Sequence, residues 1–205
     1  MYNGLKKHWE DVYQNKMPNE VSWLQEIPKM SLEYIQQLNI PLSAKIIDIG
    51  GGDSYLAEQL LEKGYTNITV LDISENVINR AKERLGAKAN LIKWINTDII
   101  NFKPTTSYDL WHDRATFHFL TTPESIDKYL LIVKEAVKGK IVIGTFSSEG
   151  PTSCSGLKIT QYDEPNLIEK FKSIGFRKNN CKIEDHKTPS NSLQEFIFCA
   201  FSNIS

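Results

Sequence analysis

The stretch Lys45–Glu58, KIIDIGGGDSYLAE, holds the first residues suited to chemistry. An apolar run carrying Asp48 ends in Gly50, Gly51 and Gly52. Consecutive glycines remove side chains, so a ligand can lie against the backbone. In an open α/β sheet, ligands sit beyond the carboxyl ends of the strands, and the first strand's turn is the usual place. A dinucleotide fingerprint, G-x-G-x-x-G, would put its third glycine at position 55, which is Tyr55. A tyrosine there obstructs the close approach of a pyrophosphate to the helix terminus. The turn suits a ligand without pyrophosphate, and an adenosine bearing an amino-acid sulfonium fits that description. Asp72 ends the next apolar run, 22 residues after Gly50. An acid at that place can accept both hydroxyls of a ribose. Its plainer role would be a helix cap or a surface carboxylate.

A second group of candidates begins at the end of the run YDLWH: His112, Asp113, Arg114, Phe117 and His118. Imidazole suits a general base for an amine or hydroxyl acceptor, whereas a carboxylate or thiolate needs none. His112 also reads as a buried strand histidine satisfied by a backbone carbonyl. Arg114 could clamp an acceptor carboxylate bidentately, or simply pair with Asp113 or Asp109. The loop TFSSEGPTSCSGL adds Cys154, and Tyr162 and His186 can reach the same mouth. Cys154 reads equally as an ordinary loop thiol.

These residues need a scaffold, and the pattern supplies one. Residues 5–38 read as helical, broken near Pro18 and Pro28. From Lys45 short Ile/Val-rich strands alternate with helices. The strand signals are KIIDI, ITVLDI, LIKWI, YDLWH and KIVIGTF. A helix over PESIDKYLLIVKEAVKG is expected to start at its proline and stop on Gly139. Alternation of this kind implies a parallel, doubly wound sheet. Two extended runs close the chain, FRKNNCKIEDHK and SLQEFIFCAF, separated only by TPSN. That gap is too short for a crossover helix, so the runs should pair antiparallel. The fold expected is α/β: a doubly wound, mostly parallel seven-stranded sheet ending in an antiparallel hairpin. It has helices on both faces and an N-terminal helical lid, all in one domain over 1–205.

The 205 residues suffice for one domain with a real core. The formal net charge of −1 offers no basic excess for nucleic acid and no membrane patch. No apolar stretch is long enough to span a bilayer, and the first residues lack a signal-peptide core. Cys154, Cys181 and Cys199 lie far apart, with no metal-ligand spacing. Their odd number fits a reducing cytoplasm better than a disulfide frame.

As a set, these motifs resemble the class I S-adenosylmethionine-dependent methyltransferases, from about Lys45 to the end. By that resemblance Asp48 and Gly50–Gly52 form the first motif and hold the methionine part, with Ser54 where a glycine is more usual. Asp72, beside Ile73, is the ribose acid. Asp98 and the Ile99 backbone, in NTDIINF, meet the adenine. Asp113 meets the methionine part again, and FHFL places His118 as the catalytic base and Phe117 near the acceptor. GGGDS and GYTNITVLDISENVI resemble the branch that contains some protein-lysine methyltransferases. The front segment HWEDVYQ resembles that branch's opening, which lies over the cofactor and makes Trp9, Tyr13 and Trp23 candidate lining residues. The resemblance implies a metal-free methyltransferase that uses S-adenosylmethionine and releases S-adenosylhomocysteine. A small-molecule acceptor is the first expectation, and a protein lysine the alternative. A non-catalytic binder of the cofactor is a third reading. An NAD(P) oxidoreductase is disfavoured by Tyr55 and the terminal hairpin. Neither nucleic acid nor membrane is expected as a partner, and the chain is expected as a monomer or homodimer.

Overall fold

The computed structural model describes residues 2–204. Five strands run parallel: β1 Lys45–Ile49, β2 Asn67–Asp72, β3 Ile92–Asn96, β4 Tyr108–Arg114 and β5 Val137–Phe146. A two-residue ladder, β6 Ser153–Cys154 with β7 Leu157–Lys158, stands apart. β8 Phe176–Lys187 and β9 Leu193–Asn203 pair antiparallel, and β9 also lies antiparallel to β5. The sheet order is β3-β2-β1-β4-β5-β9-β8. The helices are α1 Tyr2–Asn15, α2 Lys29–Gln37, α3 Leu56–Glu62, α4 Glu75–Leu85, α5 Pro123–Ala136 and α6 Glu164–Ser173. Pro18 opens a 3-10 turn and Pro28 precedes α2, so both predicted breaks are found.

The strand order runs from β1 outward to β2 and β3 on one side, then returns to β4 and β5 on the other. This switch point opens a crevice at the carboxyl ends of β1 and β4. Alternate residues of β1 enter opposite cores. Ile47 and Ile49 join Trp111, Tyr129 and Phe171 under α5 and α6. Ile46 joins Leu110, Val142, Phe198 and Tyr34 under α2 and α3. A strand buried on both faces has no need of polar alternation, which explains the unbroken apolar runs.

Two expectations are corrected. α5 ends at Ala136 rather than Gly139, and Gly139 lies inside β5. A Cβ there would collide with the backbone carbonyl of Asp109, where the β4–β5 register shifts. The glycine permits a close strand approach; it does not stop a helix. Cys181 and Cys199 also face each other across the hairpin and form a disulfide, with Cα atoms 4.1 Å apart. They are 18 residues apart in sequence, and only the antiparallel register makes them neighbours. Cys154 is the free thiol among the described residues. No helix among those residues is long and apolar enough to cross a membrane.

Gly139→Ala forces a methyl group into a backbone carbonyl that cannot swing away. It is expected to lower stability by about 1–3 kcal/mol. Urea unfolding checks this, and an unchanged midpoint would contradict the close-approach role.

Candidate active site

The turn after β1 is built around carboxylates. Gly50 takes φ +67° and donates its N–H to the Leu71 carbonyl at 2.7 Å. A Cβ on Gly50 would overlap the Thr116 hydroxyl, and one on Gly51 would overlap the Asp48 carboxylate. Gly52 donates its N–H to Asp72 Oδ2 at 3.1 Å, packed against Val77. Asp72 Oδ1 accepts from the Ser74 N–H at 2.9 Å. Burial still outweighs both bonds, and with Asp48 and Asp53 nearby it pushes the Asp72 carboxyl up to about 6.

A cavity opens beside this turn, with about 730 Å³ of atom-free space counting its mouth. Gly50, Asp72 and Ile73 line one wall, and Asp98 and Ile99 continue it. Asp98 accepts the Ile100 N–H at 3.2 Å, which fixes the bend after β3. Trp9, Tyr13 and Trp23 close the roof, joined by Phe119. These rings pack on one another: Trp9 stacks on Tyr13 at 5.8 Å and meets Phe119 edge-on at 5.1 Å. Cys154 also lines the cavity, with burial pushing its thiol up to about 11.

A smaller adjoining cleft is lined by Asp48, Gly51, His112 and Arg114, and shares Gly50 and Trp23 with the larger. Asp48 Oδ1 pairs with His112 Nδ1 at 2.7 Å, and His112 Nε2 meets Ser31 Oγ at 2.8 Å. His112 is thus satisfied by side chains, not by the carbonyl expected. Asp48 Oδ2 has no hydrogen-bond partner among the described residues. Arg114 Nη1 donates to the Trp23 carbonyl at 2.9 Å. Arg114 does not pair with Asp113 or Asp109.

Several sequence candidates lie elsewhere. Asp113 points to the opposite face of β4, wholly buried. Its Oδ1 accepts from the N–H groups of Thr116 and Phe117, and its Oδ2 from the Tyr129 hydroxyl at 2.7 Å. No oxygen of it reaches the cavity. Phe117 and Tyr162 stack on each other inside the core at 5.0 Å, and neither lines either cleft. His118 is fully buried, stacked on Phe146 at 4.6 Å. Burial and the nearby Arg114 charge depress it to about 3, so it is a poor base and does not meet the cavity. His186 holds the Ser22 carbonyl at 2.6 Å and Gln25 at 3.0 Å, so it anchors the front segment. Tyr55 sits under the Arg84 guanidinium, 4.2 Å from ring centroid to Cζ, which accounts for a tyrosine in the third-glycine slot.

The sequence reading missed the clasps that hold the roof. Glu10 on α1 accepts from Ser74 Oγ at 2.7 Å, Glu75 N at 2.7 Å and Asn76 N at 3.1 Å. It therefore caps the amino end of α4 from another helix. Partial burial pushes its carboxyl up, but those bonds outweigh it and hold the group below the ordinary glutamate range. A depressed acid stabilises the clasp above its unfolded pKa, and the gain is lost as pH falls through the folded value. Arg80 binds Asp53 and reaches the Tyr13 and Lys16 carbonyls at 3.3 and 2.9 Å. Glu10→Ala should loosen α1 without unfolding the sheet. Hydrogen exchange is expected to speed up over residues 2–15 while β1 and β4 stay protected; unchanged α1 protection would remove the clasp.

Known proteins similar to this chain are methyltransferases. A family model described as a methyltransferase domain matches residues 47–138. Human EEF1A lysine methyltransferase 2 is 26% identical over 202 residues, covering 93% of this chain and 80% of that protein. Malonyl-[acyl-carrier protein] O-methyltransferase of Anoxybacillus flavithermus is 36% identical over 131 residues, 60% of this chain and 49% of that one. The mouse eEF1A lysine and N-terminal methyltransferase is 29% identical over 125 residues, 59% of this chain but 17% of its own length. The chain thus spans half or less of the length of several curated relatives. The solved 1,6-didemethyltoxoflavin-N1-methyltransferase of Burkholderia thailandensis superposes with a TM-score of 0.71 at 17% identity, covering 100% of this chain and 86% of that one. That likeness shows a shared fold. Residues 47–138 thus match a methyltransferase domain, and the whole chain shares the fold of a solved methyltransferase.

Proposed function

We propose that the chain transfers a methyl group from S-adenosylmethionine to a small-molecule acceptor. The observation that carries this is the continuous wall Asp48–Gly50–Asp72–Asp98, with acceptor oxygens along a backbone bare of side chains. Asp72 would accept the ribose hydroxyls. Asp98 and the Ile99 backbone would take the adenine edge. Asp48 Oδ2, without a partner among the described residues, would accept from the methionine ammonium. The roof rings Trp9, Tyr13 and Trp23 would face the cationic sulfur, which aromatic faces favour. S-adenosylmethionine supplies an already activated methyl carbon, so the chain's part is placement of two reactants and exclusion of water. His118, Asp113, Phe117, Tyr162 and His186 have no role in this reading.

A small acceptor fits a roof that closes over the cavity. The alternative, a protein lysine, draws on the match to the human lysine methyltransferase over 93% of this chain. Extract incubated with radiolabelled donor, then split into protein and small-molecule fractions, separates the two. Label among small molecules is expected; label on protein would favour the alternative.

Asp72→Ala removes a charged acceptor and should weaken S-adenosylhomocysteine binding by roughly 1.5–3 kcal/mol. Calorimetry checks it, with NAD and NADP as controls; unchanged affinity would end the ribose assignment. Because the Asp72 carboxyl titrates at about 6, it gains a proton as pH falls through that value and stops being an anionic acceptor. Affinity is therefore expected to drop between pH 7.5 and 5.5, roughly tenfold per unit at most below the folded value, and Asp72→Asn should flatten that slope.

A further inference from the structure

A methyl acceptor must offer an electron pair, and a protonated amine, alcohol or phenol must first lose a proton to a base. No base serves the acceptor side of the cavity. His112 has both ring nitrogens engaged, and so has His186. His118 is buried behind Phe119 and Phe146, and His8 lies edge-on to Trp9 outside both clefts. The carboxylates lining the two clefts are Asp48, Asp72 and Asp98, assigned above to the methyl donor, and Asp53, which is paired with Arg80 and Arg84. Tyr13 and Cys154 remain, and burial holds both protonated, Cys154 up to about 11 and Tyr13 well above its ordinary value.

The remaining charged group is a cation. Arg114 lines the wall common to both clefts. Its Nη1 is tied to the Trp23 carbonyl, which fixes the guanidinium plane over the Phe196 ring at 5.3 Å. Its Nε and Nη2 have no partner among the described residues. Glu184 contributes charge but makes no ion pair with it there. Burial lowers Arg114 only to about 10, so it stays charged at neutral pH. Nε and Nη2 form one edge of the guanidinium, the edge that matches two carboxylate oxygens.

We infer that the methyl acceptor is a carboxylate held on the Nε–Nη2 edge of Arg114, and that the product is a methyl ester. This deepens the methyltransferase reading and rests on it. A carboxylate oxygen donates its lone pair to the methyl carbon as the carbon–sulfur bond breaks. That bonding pair stays on sulfur, so anion and sulfonium become a neutral ester and a neutral thioether. No proton moves, and no base is required.

The test uses the full chain, donor labelled with tritium on the methyl group, and cell extract. Products are treated with mild alkali, and volatile methanol is collected, because methyl esters release it and methyl amines do not. Most transferred label is expected as methanol. Label transferred but stable to alkali would overturn the carboxylate while leaving methyl transfer standing. No transfer would overturn methyl transfer and this inference with it. An independent binding measurement uses phenylacetate and phenethylamine, which share a ring and differ in charge. Each is titrated into protein saturated with S-adenosylhomocysteine, reading tryptophan fluorescence. The acid is expected to bind about tenfold tighter, and Arg114→Gln to abolish that advantage. Equal or tighter binding of the amine would overturn the proposal.

Discussion

Three carboxylates stand buried at the carboxyl ends of adjacent parallel strands: Asp48 on β1, Asp72 on β2 and Asp113 on β4. Removing a carboxylate from water is costly unless donors replace its hydration. The local chain is shaped by supplying them. Asp113 receives two backbone N–H groups and a tyrosine hydroxyl, all from the turn after β4 and from α5. Asp72 receives two backbone N–H groups, from Gly52 and Ser74. Asp48 receives an imidazole. The glycine run follows from this constraint, since only backbone without Cβ can fold between Asp48 and Asp72 at such short range. The three acids differ in what is left over. Asp113 is closed on every side and acts as scaffold, while Asp72 and Asp48 keep acceptor capacity facing the clefts.

The roof is held by a different kind of interaction. Its rings pack on each other, Trp9 also meets Phe119, Trp23 packs against the core under α2 and α3, and polar contacts fasten the segment further: Glu10 on the α4 amino end, Arg80 on two carbonyls near the α1 carboxyl end, and His186 on Ser22. A helix amino end favours a carboxylate, and Glu10 supplies one from a separate segment. Such contacts are individually worth little where solvent reaches them.

Where the sequence alone locates residues at the strand ends beside the cavity, the signal is short in range. Gly50–Gly52, Asp72 and Asp98 each sit at a strand end, fixed by a strand–turn–helix repeat that the chain itself spells out. The roof aromatics were legible through the resemblance of the opening segment. Gly139 misled because it follows a helix pattern, while its real neighbour, the Asp109 carbonyl, lies 30 positions earlier in the chain. Cys181 and Cys199 were invisible as a pair because hairpin register, not spacing, brings them together. Phe117 and His118 failed for another reason. They lie in a short 3-10 turn, where no strand or helix period says which side faces ligand. Glu10 left no trace, since a cap supplied by a distant helix has no local sequence signature.

Strand parity governs the chemistry available at the site. Successive residues of β4 point to opposite faces, so His112 and Arg114 face the clefts while Trp111 and Asp113 face α5. On the α5 side a buried chain of hydrogen bonds runs from Trp111 Nε1 to the Tyr129 hydroxyl at 2.8 Å, and from that hydroxyl to Asp113 Oδ2 at 2.7 Å. A slip of one residue would break this chain and expose its polar atoms to an apolar core. It would also turn an acid toward the acceptor in place of a guanidinium. The buried network on one face therefore fixes the sign of the charge presented on the other. Arg114 stands where it does because Trp111, Tyr129 and Asp113 leave β4 no second register.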